Sequence, residues 1–209
     1  MRAPGAPGAR GAPGARGARG ARGARGAGRA RGARGGGPAR ATGGARARLL
    51  GGLAGPGEWE ALAGELLAGG APAPGPGAPL SGCWRMLYTT EKETNFLLDV
   101  CGGTAAYQII DVERASLRNV VEWGKERAFV VDSEISLEED DAGGGWEQGR
   151  VNFAFTAAGL KLGSGPTLPV PPFGKGWFDT VYLDEELRIS KDVRGDTLVV
   201  KRCLDDVGW

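Results

Sequence analysis

Apolar residues return every three or four positions between Glu58 and Gly70. Trp59, Leu62, Leu66 and Leu67 share one face of a predicted helix, with Glu58 and Glu60 in its first turn and Gly69-Gly70 at its end. The preceding ARLLGGLAG (47–55) predicts a weaker helix diluted by glycine, and APAPGPGAP (71–79) reads as a semi-rigid linker. From Leu80 the spacing contracts to two. Strand-like runs follow at CWRMLYTT (83–90), NFLLDV (95–100), AAYQIIDV (105–112), SLRNVVEW (116–123) and RAFVVDSEIS (127–136). They continue at RVNFAFTA (150–157), WFDTVYL (177–183), LRIS (187–190) and DTLVVKR (196–202). Turn residues separate most of them, among them Gly102-Gly103, Gly143-Gly144-Gly145 and Arg194-Gly195-Asp196. Eight or nine short strands at this spacing predict an antiparallel sandwich or barrel. No alternation of helix and strand supports a nucleotide-binding α/β sheet.

Within these runs, Val151, Phe153 and Phe155 share one face, and Trp84, Met86 and Tyr88 share another. An eight-stranded barrel has an interior just wide enough for side chains or one small ligand. Such aromatic-rich faces are therefore either core or the wall of a lipophilic pocket.

Charge divides the chain. Residues 1–48 hold 12 arginines and no acidic residue, whereas the remainder holds 14 basic against 25 acidic residues; the overall +1 joins a segment at +12 to a body at −11. The first 48 residues are almost wholly Gly, Ala, Arg and Pro, and bury too little apolar area to offset the entropy of ordering, which predicts disorder. Glycine at every third position from Gly5 to Gly26 resembles collagen, but the period breaks at Gly28. An Arg/Gly arm could neutralise phosphates, yet it has no aromatic for base stacking and is joined to an acidic body. The third reading, an organelle-targeting peptide, fits an arginine-rich, acid-free leader, although Thr42 is its one hydroxyl residue. Nothing approaches the roughly 18 apolar residues of a membrane span. The chain has no histidine, the commonest general acid or base. Its three cysteines, Cys83, Cys101 and Cys203, form no CxxC pair and read as buried or idle thiols in a reducing compartment.

GCWRMLYTT (82–90), followed by YQIIDV, RNVVEW and RVNFAFTAAGLKLG, resembles the plastid lipid-associated proteins, the plastid fibrillins or plastoglobulins. The resemblance is closest at GWFDTVYLDEELRISKDVRGDTLVVKR (176–202) and covers about residues 58–203; Phe178 and Val181 stand where Leu or Thr would be expected. It implies a mainly β chain: a lipocalin-like antiparallel β-barrel of about eight strands with a short N-terminal helix. Residues 1–48 would be a disordered plastid transit peptide, 49–79 a short helical region and linker, and 80–209 the barrel domain. The location implied is the plastid (chloroplast), at plastoglobules, thylakoids or stroma. The partners implied are lipophilic small molecules (prenyl quinones, carotenoids, fatty acyl lipids) and, peripherally, a lipid-droplet or thylakoid surface; no nucleic acid is expected. The resemblance carries no catalytic set, so no catalytic, cofactor or metal residue is assigned.

Trp84, Met86, Tyr88, Tyr107, Phe153, Phe155 and Tyr182 are the candidate lipid-contacting residues. Gly82-x-Trp84 resembles the first strand of lipocalins, whose tryptophan floors the barrel beneath an arginine from a late strand. Arg188 is the preferred partner of Trp84 and Arg202 the other candidate. In GPTLPVPPFGKGW (165–177) four prolines forbid regular ladders, yet Leu168, Val170, Phe173 and Trp177 are apolar. The loop either plugs one barrel end or forms a lip that dips into a lipid monolayer with Lys175 near the head groups. Because the body is acidic, attachment to lipid must be apolar. The helix at 58–68, with no basic residue on its polar face, is expected to pack on the barrel. The run Glu138–Asp141 lacks calcium-loop spacing and reads as a solvated hairpin loop, and Arg194-Gly195-Asp196 as a turn. The leading reading is a non-catalytic protein that binds or coats lipophilic molecules. The alternative, a barrel enzyme acting on an isoprenoid or oxidised lipid, would need Asp111 or Asp184 beside Tyr107 or Tyr182.

Overall fold

In the computed structural model the change of spacing near Leu80 is where two helices give way to strands. The structure describes residues 38–55, 57–69, 79–124, 126–138, 149–203 and 207–209, with only the helical backbone described over 38–42. Helices α1 (Pro38–Leu50) and α2 (Glu58–Ala68) precede β1 (Gly82–Thr89), and α3 (Lys92–Asp99) follows it. The remaining strands are β2 (Ala105–Asp111), β3 (Ser116–Glu122), β4 (Arg127–Leu137), β5 (Arg150–Leu162), β6 (Leu168–Val170), β7 (Lys175–Leu183), β8 (Leu187–Asp192) and β9 (Thr197–Arg202).

Every pairing is antiparallel. The order β1-β2-β3-β4-β5-β7-β8-β9 returns to β1, so eight strands close a barrel-like ring. The ninth, β6, lies along the stretch of β5 that β7 leaves unpaired. Closure of the ring decides for the barrel over the sandwich.

Two apolar layers share the strands. Leu80, Trp84, Ile110, Leu117, Ile135, Val151, Phe178, Leu183 and Val200 fill one part of the interior. Outside, α1 and α2 lay Ala45, Leu49, Leu62, Ala63 and Leu66 on Tyr182, Leu187, Ile189 and Val199. Each fully buried leucine contributes about 1.5–3 kcal/mol. Strand β8 is therefore buried on both faces, with Leu187 and Ile189 toward the helices and Arg188 and Ser190 toward the interior.

Two bulges sit under this helical cover. Register shifts between Met86 and Tyr88 and between Thr180 and Tyr182 each insert one residue. Leu87 and Tyr88, and likewise Val181 and Tyr182, consequently both pack against the helices. A one-residue slip turns every later side chain to the other face.

Four sequence expectations need correction. Residues 95–100 are not a strand but belong largely to α3. Glu91 is an extended N-cap, Thr94 donates its hydroxyl to Glu91 Oε2 (2.8 Å), and Asn95 donates Nδ2 to the Thr89 carbonyl (3.0 Å). A short apolar run alone does not distinguish helix from strand. Residues 38–48, placed in the disordered segment, are helical as part of α1; the rest of that segment, and most of the 71–79 linker, lie outside the described residues. The proline-rich loop does form a ladder, with Pro169 opposite Gly159, where an outer strand asks no donor of proline. Finally, Cys83 and Cys203 form a disulfide with Cα atoms 5.3 Å apart, while Cys101 is free and exposed. Their separation of 120 residues concealed that β1 and β9 are neighbours, with Trp84 opposite Arg202.

Candidate functional site

The ring is closed at one end and hollow toward the other. At the closed end Trp84 is wholly buried and donates its indole N–H to the Leu80 carbonyl at 2.9 Å. The Arg202 guanidinium lies 4.1 Å from that ring and donates to the carbonyls of Glu185 (2.7 Å), Ser81 (2.9 Å) and Pro79 (2.6 Å). It thereby ties the β7–β8 turn and the segment entering β1 to β9. Arg188 stands at 5.4 Å from the Trp84 ring, so Arg202, the second candidate, is the closer cap.

Beyond this floor lies a cavity of about 520 Å³ whose wall includes Met86, Leu117, Val131, Phe153, Phe155 and Phe178. The rings of Phe153 and Phe155 stack with centroids 5.6 Å apart. They have room because the facing strand carries glycine. A Cβ on Gly174, at φ +149, would come within 2.6 Å of the Phe155 ring, and one on Gly176 within 2.9 Å of Phe153. The mouth is bordered by Glu91, Glu93, Thr94 and Leu97 from the start of α3, by Phe173 and Lys175, and by the β8–β9 turn from Asp192 to Asp196.

Hydrogen bonds hold this rim in shape. Arg194 donates to Glu93 (2.7 Å), Thr90 donates its hydroxyl to Asp196 (2.7 Å), and Asp192 accepts the backbone N–H of Arg194 and Asp196. Gly195 has φ +81, so Arg194-Gly195-Asp196 is a turn as expected. Loss of solvent pushes the Glu91 carboxyl above the usual carboxylate range, against the opposing bond from Thr94.

The candidate lipid contacts divide accordingly. Met86, Phe153 and Phe155 line the cavity, and Tyr107 borders it with its hydroxyl turned to Glu122 (3.4 Å). Trp84 belongs to the floor. Tyr88 and Tyr182 are carried to the outer face by the two bulges: Tyr88 stacks on Trp59 with centroids 5.6 Å apart, and Tyr182 donates to Asp184 at 2.5 Å. Of the proposed lip, Leu168, Val170 and Phe173 are exposed, and Phe173, at 82%, also borders the cavity. Trp177 does not accompany them: it is in β7 beneath the Arg150 guanidinium, 3.6 Å from its ring. Glu138 pairs with Arg150 at 3.6 Å, whereas Glu139–Asp141 lie outside the described residues. No cluster of metal-ligating side chains occurs among the described residues.

Asp184 clamps α1 to the ring. It accepts from Arg46 Nε (2.7 Å) and Nη2 (3.2 Å), from the Tyr182 hydroxyl and from the backbone N–H of Glu186 and Leu187, both at 2.8 Å. Burial opposes ionisation, but Arg46, Tyr182 and the two N–H groups outweigh it and bring the carboxyl from 3.8 down to about 2. A depressed carboxyl stabilises the folded chain while ionised, so this contribution is complete above about pH 4 and is lost as pH falls through about 2. Asp184→Asn should flatten that part of the acid limb in equilibrium unfolding. Asp184→Ala, which strands Arg46 and the two N–H groups, should cost about 2 kcal/mol. Asp111, the other carboxylate considered for catalysis, caps its turn by accepting the N–H of Glu113 and Arg114.

Sequence reasoning missed Glu91 at the rim and Gln108, to whose Oε1 Arg188 donates a hydrogen bond inside the ring. The signal available for the interior was Arg188 itself, a charged residue between Leu187 and Ile189 in a short strand.

A closed antiparallel ring with a solid floor, an apolar hollow and a partly apolar rim defines a β-barrel-like protein with an internal cavity. The PAP_fibrillin family matches residues 67–201, and the chain belongs to that family. It is 44% identical over 128 residues to an Arabidopsis thaliana protein described as "Probable plastid-lipid-associated protein 11, chloroplastic". That match covers 59% of this chain and 56% of the relative, so the chain spans about half the length of the curated relative it matches. No solved structure matches.

Proposed function

We propose that this chain is a non-catalytic plastid protein that holds a lipophilic molecule inside the ring and meets a plastoglobule or thylakoid surface with the rim of its cavity. The observation that carries this reading is the apolar hollow of about 520 Å³ in a member of a plastid-lipid-associated family. Pockets of this kind range over roughly 300–1,000 Å³. The relative's chloroplast designation supports plastid residence, and the acid-free leader supports delivery there as a cleaved transit peptide. The helical packing narrows where cleavage falls: Ala45 and Leu49 are buried against α2 and the ring, so the native chain should begin upstream of Ala45. N-terminal sequencing of the native protein checks this. A start beyond Leu49 would mean that α1 is dispensable.

The decisive experiment extracts the purified protein with organic solvent and identifies co-purifying molecules by mass spectrometry. A lipophilic species near one per chain supports the reading, and recovery of none from gently purified protein overturns it. No described helix is long and apolar enough to cross a membrane, so surface attachment rests on exposed apolar side chains. Phe173→Ser with Val170→Ser should lower flotation with lipid droplets at least about tenfold, because seating even one such side chain in lipid is worth about 1.5–3 kcal/mol. Unchanged flotation would leave the loop as a plug.

Glu91 gives the enzyme alternative its one foothold, a carboxyl raised by burial at the cavity mouth. The pair first considered, Asp184 with Tyr182, is held as a salt-bridged clamp on the outer face. Lipid recovered chemically altered after incubation with the native chain, but intact after incubation with Glu91→Gln, would favour catalysis.

A further inference from the structure

Among the described residues the ring interior contains a cation without a counter-ion. Arg188 is fully buried among Trp84 and Phe178, whose rings each lie 5.4 Å from its guanidinium. Its Nη2 donates to Gln108 Oε1, a neutral acceptor, while Nε and Nη1 have no hydrogen-bond partner among the described residues. No salt bridge reaches it among the described residues; the charged group that acts on it is another cation, Arg202. Burial, with Arg202 adding to it, pushes the guanidinium down to about 9. A second polar atom is left open on the same inward face. Among the described residues Thr180 Oγ1 is buried without a hydrogen-bond partner, and Thr180 pairs across β7–β8 with Ser190, two positions along β8 from Arg188. Gln108, Phe178 and Ser190 all line the cavity.

Leaving a cation and its donors unsatisfied in an apolar interior is costly, and the cost disappears when an anion arrives. We infer that Arg188, assisted by Gln108, anchors the carboxylate head of a single-chain amphiphile whose tail runs along Met86, Phe153 and Phe155 toward the mouth. This rests on the reading of the hollow as a lipid site and names its ligand class. The size agrees: at about 30 Å³ per water-sized group, 520 Å³ accommodates on the order of 17 such groups. That suits one acyl chain. Two acyl chains, a carotenoid or a long prenyl quinone would leave about half of their length or more outside. The carboxylate is favoured over a neutral carbonyl because only an anion compensates the charge as well as filling the open donors.

Equilibrium dialysis of the delipidated full chain against hexadecanoate and against its methyl ester separates the possibilities. The acid should bind about 10- to 100-fold tighter than the ester. Gln108→Glu places a carboxylate against Arg188 from within the protein; it should bring acid binding down to the level of the ester and leave the ester unchanged. Arg188→Met should abolish the preference too, and if that variant does not fold, the native ratio and Gln108→Glu still decide. Equal binding of acid and ester by the native chain, or an undiminished preference in Gln108→Glu, overturns the role of Arg188 while leaving the lipid cavity intact. Binding of neither molecule removes the cavity reading itself.

Discussion

Trp84→Ala should cost about 4 kcal/mol, the largest loss expected from any single substitution in this chain. The indole is wholly buried at the floor of the ring, and its removal takes away more than volume. Leu80 loses the donor to its carbonyl, and the Arg202 and Arg188 guanidinium groups lose the aromatic face they share. For a body of this size the midpoint of thermal unfolding, followed by circular dichroism, should fall by about 8–16 °C. Trp84→Phe, which keeps the bulk and loses the N–H, should cost only about 1–2 kcal/mol. Equal effects of the two variants would show that the floor is held by its hydrogen bond rather than its packing. A fall below about 1 kcal/mol for Trp84→Ala would mean that the ring closes without its plug. Combining Trp84→Leu, which removes the aromatic face, with Arg202→Met in a double-mutant cycle then isolates the coupling between indole and guanidinium, expected at about 0.5–2 kcal/mol.

The second large effect belongs to the disulfide. Cys83 precedes Trp84 in β1 and Cys203 follows Arg202 of β9, so the bond pins the two strands whose pairing closes the ring. The backbone adds its own tie, Cys203 N–H donating to the Cys83 carbonyl at 2.8 Å. A cross-link spanning 120 residues restrains the unfolded chain by up to about 5 kcal/mol in the chain-entropy limit, and typical disulfides deliver about 2–4 kcal/mol. Reduction, or Cys83→Ser with Cys203→Ser, should therefore lower the unfolding midpoint by about 4–16 °C. Thiol titration supplies the control: one reactive group in the native oxidised chain, from the exposed Cys101, and three after reduction. An unfolding midpoint indifferent to reductant would assign ring closure to the Trp84–Arg202 floor alone.

The strand-rich body was legible because period-two alternation is a backbone property that survives in one dimension. Val151 with Phe153, and Trp84 with Met86, do point into the ring as their spacing indicates. The same rule misplaced Tyr88, and the lipid-contact candidate Tyr182 is likewise turned outward, since a bulge leaves no mark in the alternation that precedes it. It also misjudged 95–100, where hydrogen bonds from Thr94 and Asn95 back to Glu91 and Thr89 turn a short apolar run into a helix. The site was harder still. Arg188 could be singled out as an arginine between two apolar residues, but Gln108, 80 positions away, touches it only because β8 and β2 face each other across the interior.

By itself, then, the order of residues determined a basic, acid-free N-terminal segment, a helix ahead of the strands and a series of alternating strands, all set by composition and by neighbours a few positions apart. Tertiary structure decided the rest: that β9 returns to β1, that two distant cysteines meet, that Arg202 rather than Arg188 lies closer on Trp84, and that a hollow remains between floor and rim. These follow from closure, which brings residues more than a hundred positions apart into contact and whose geometry no local period encodes.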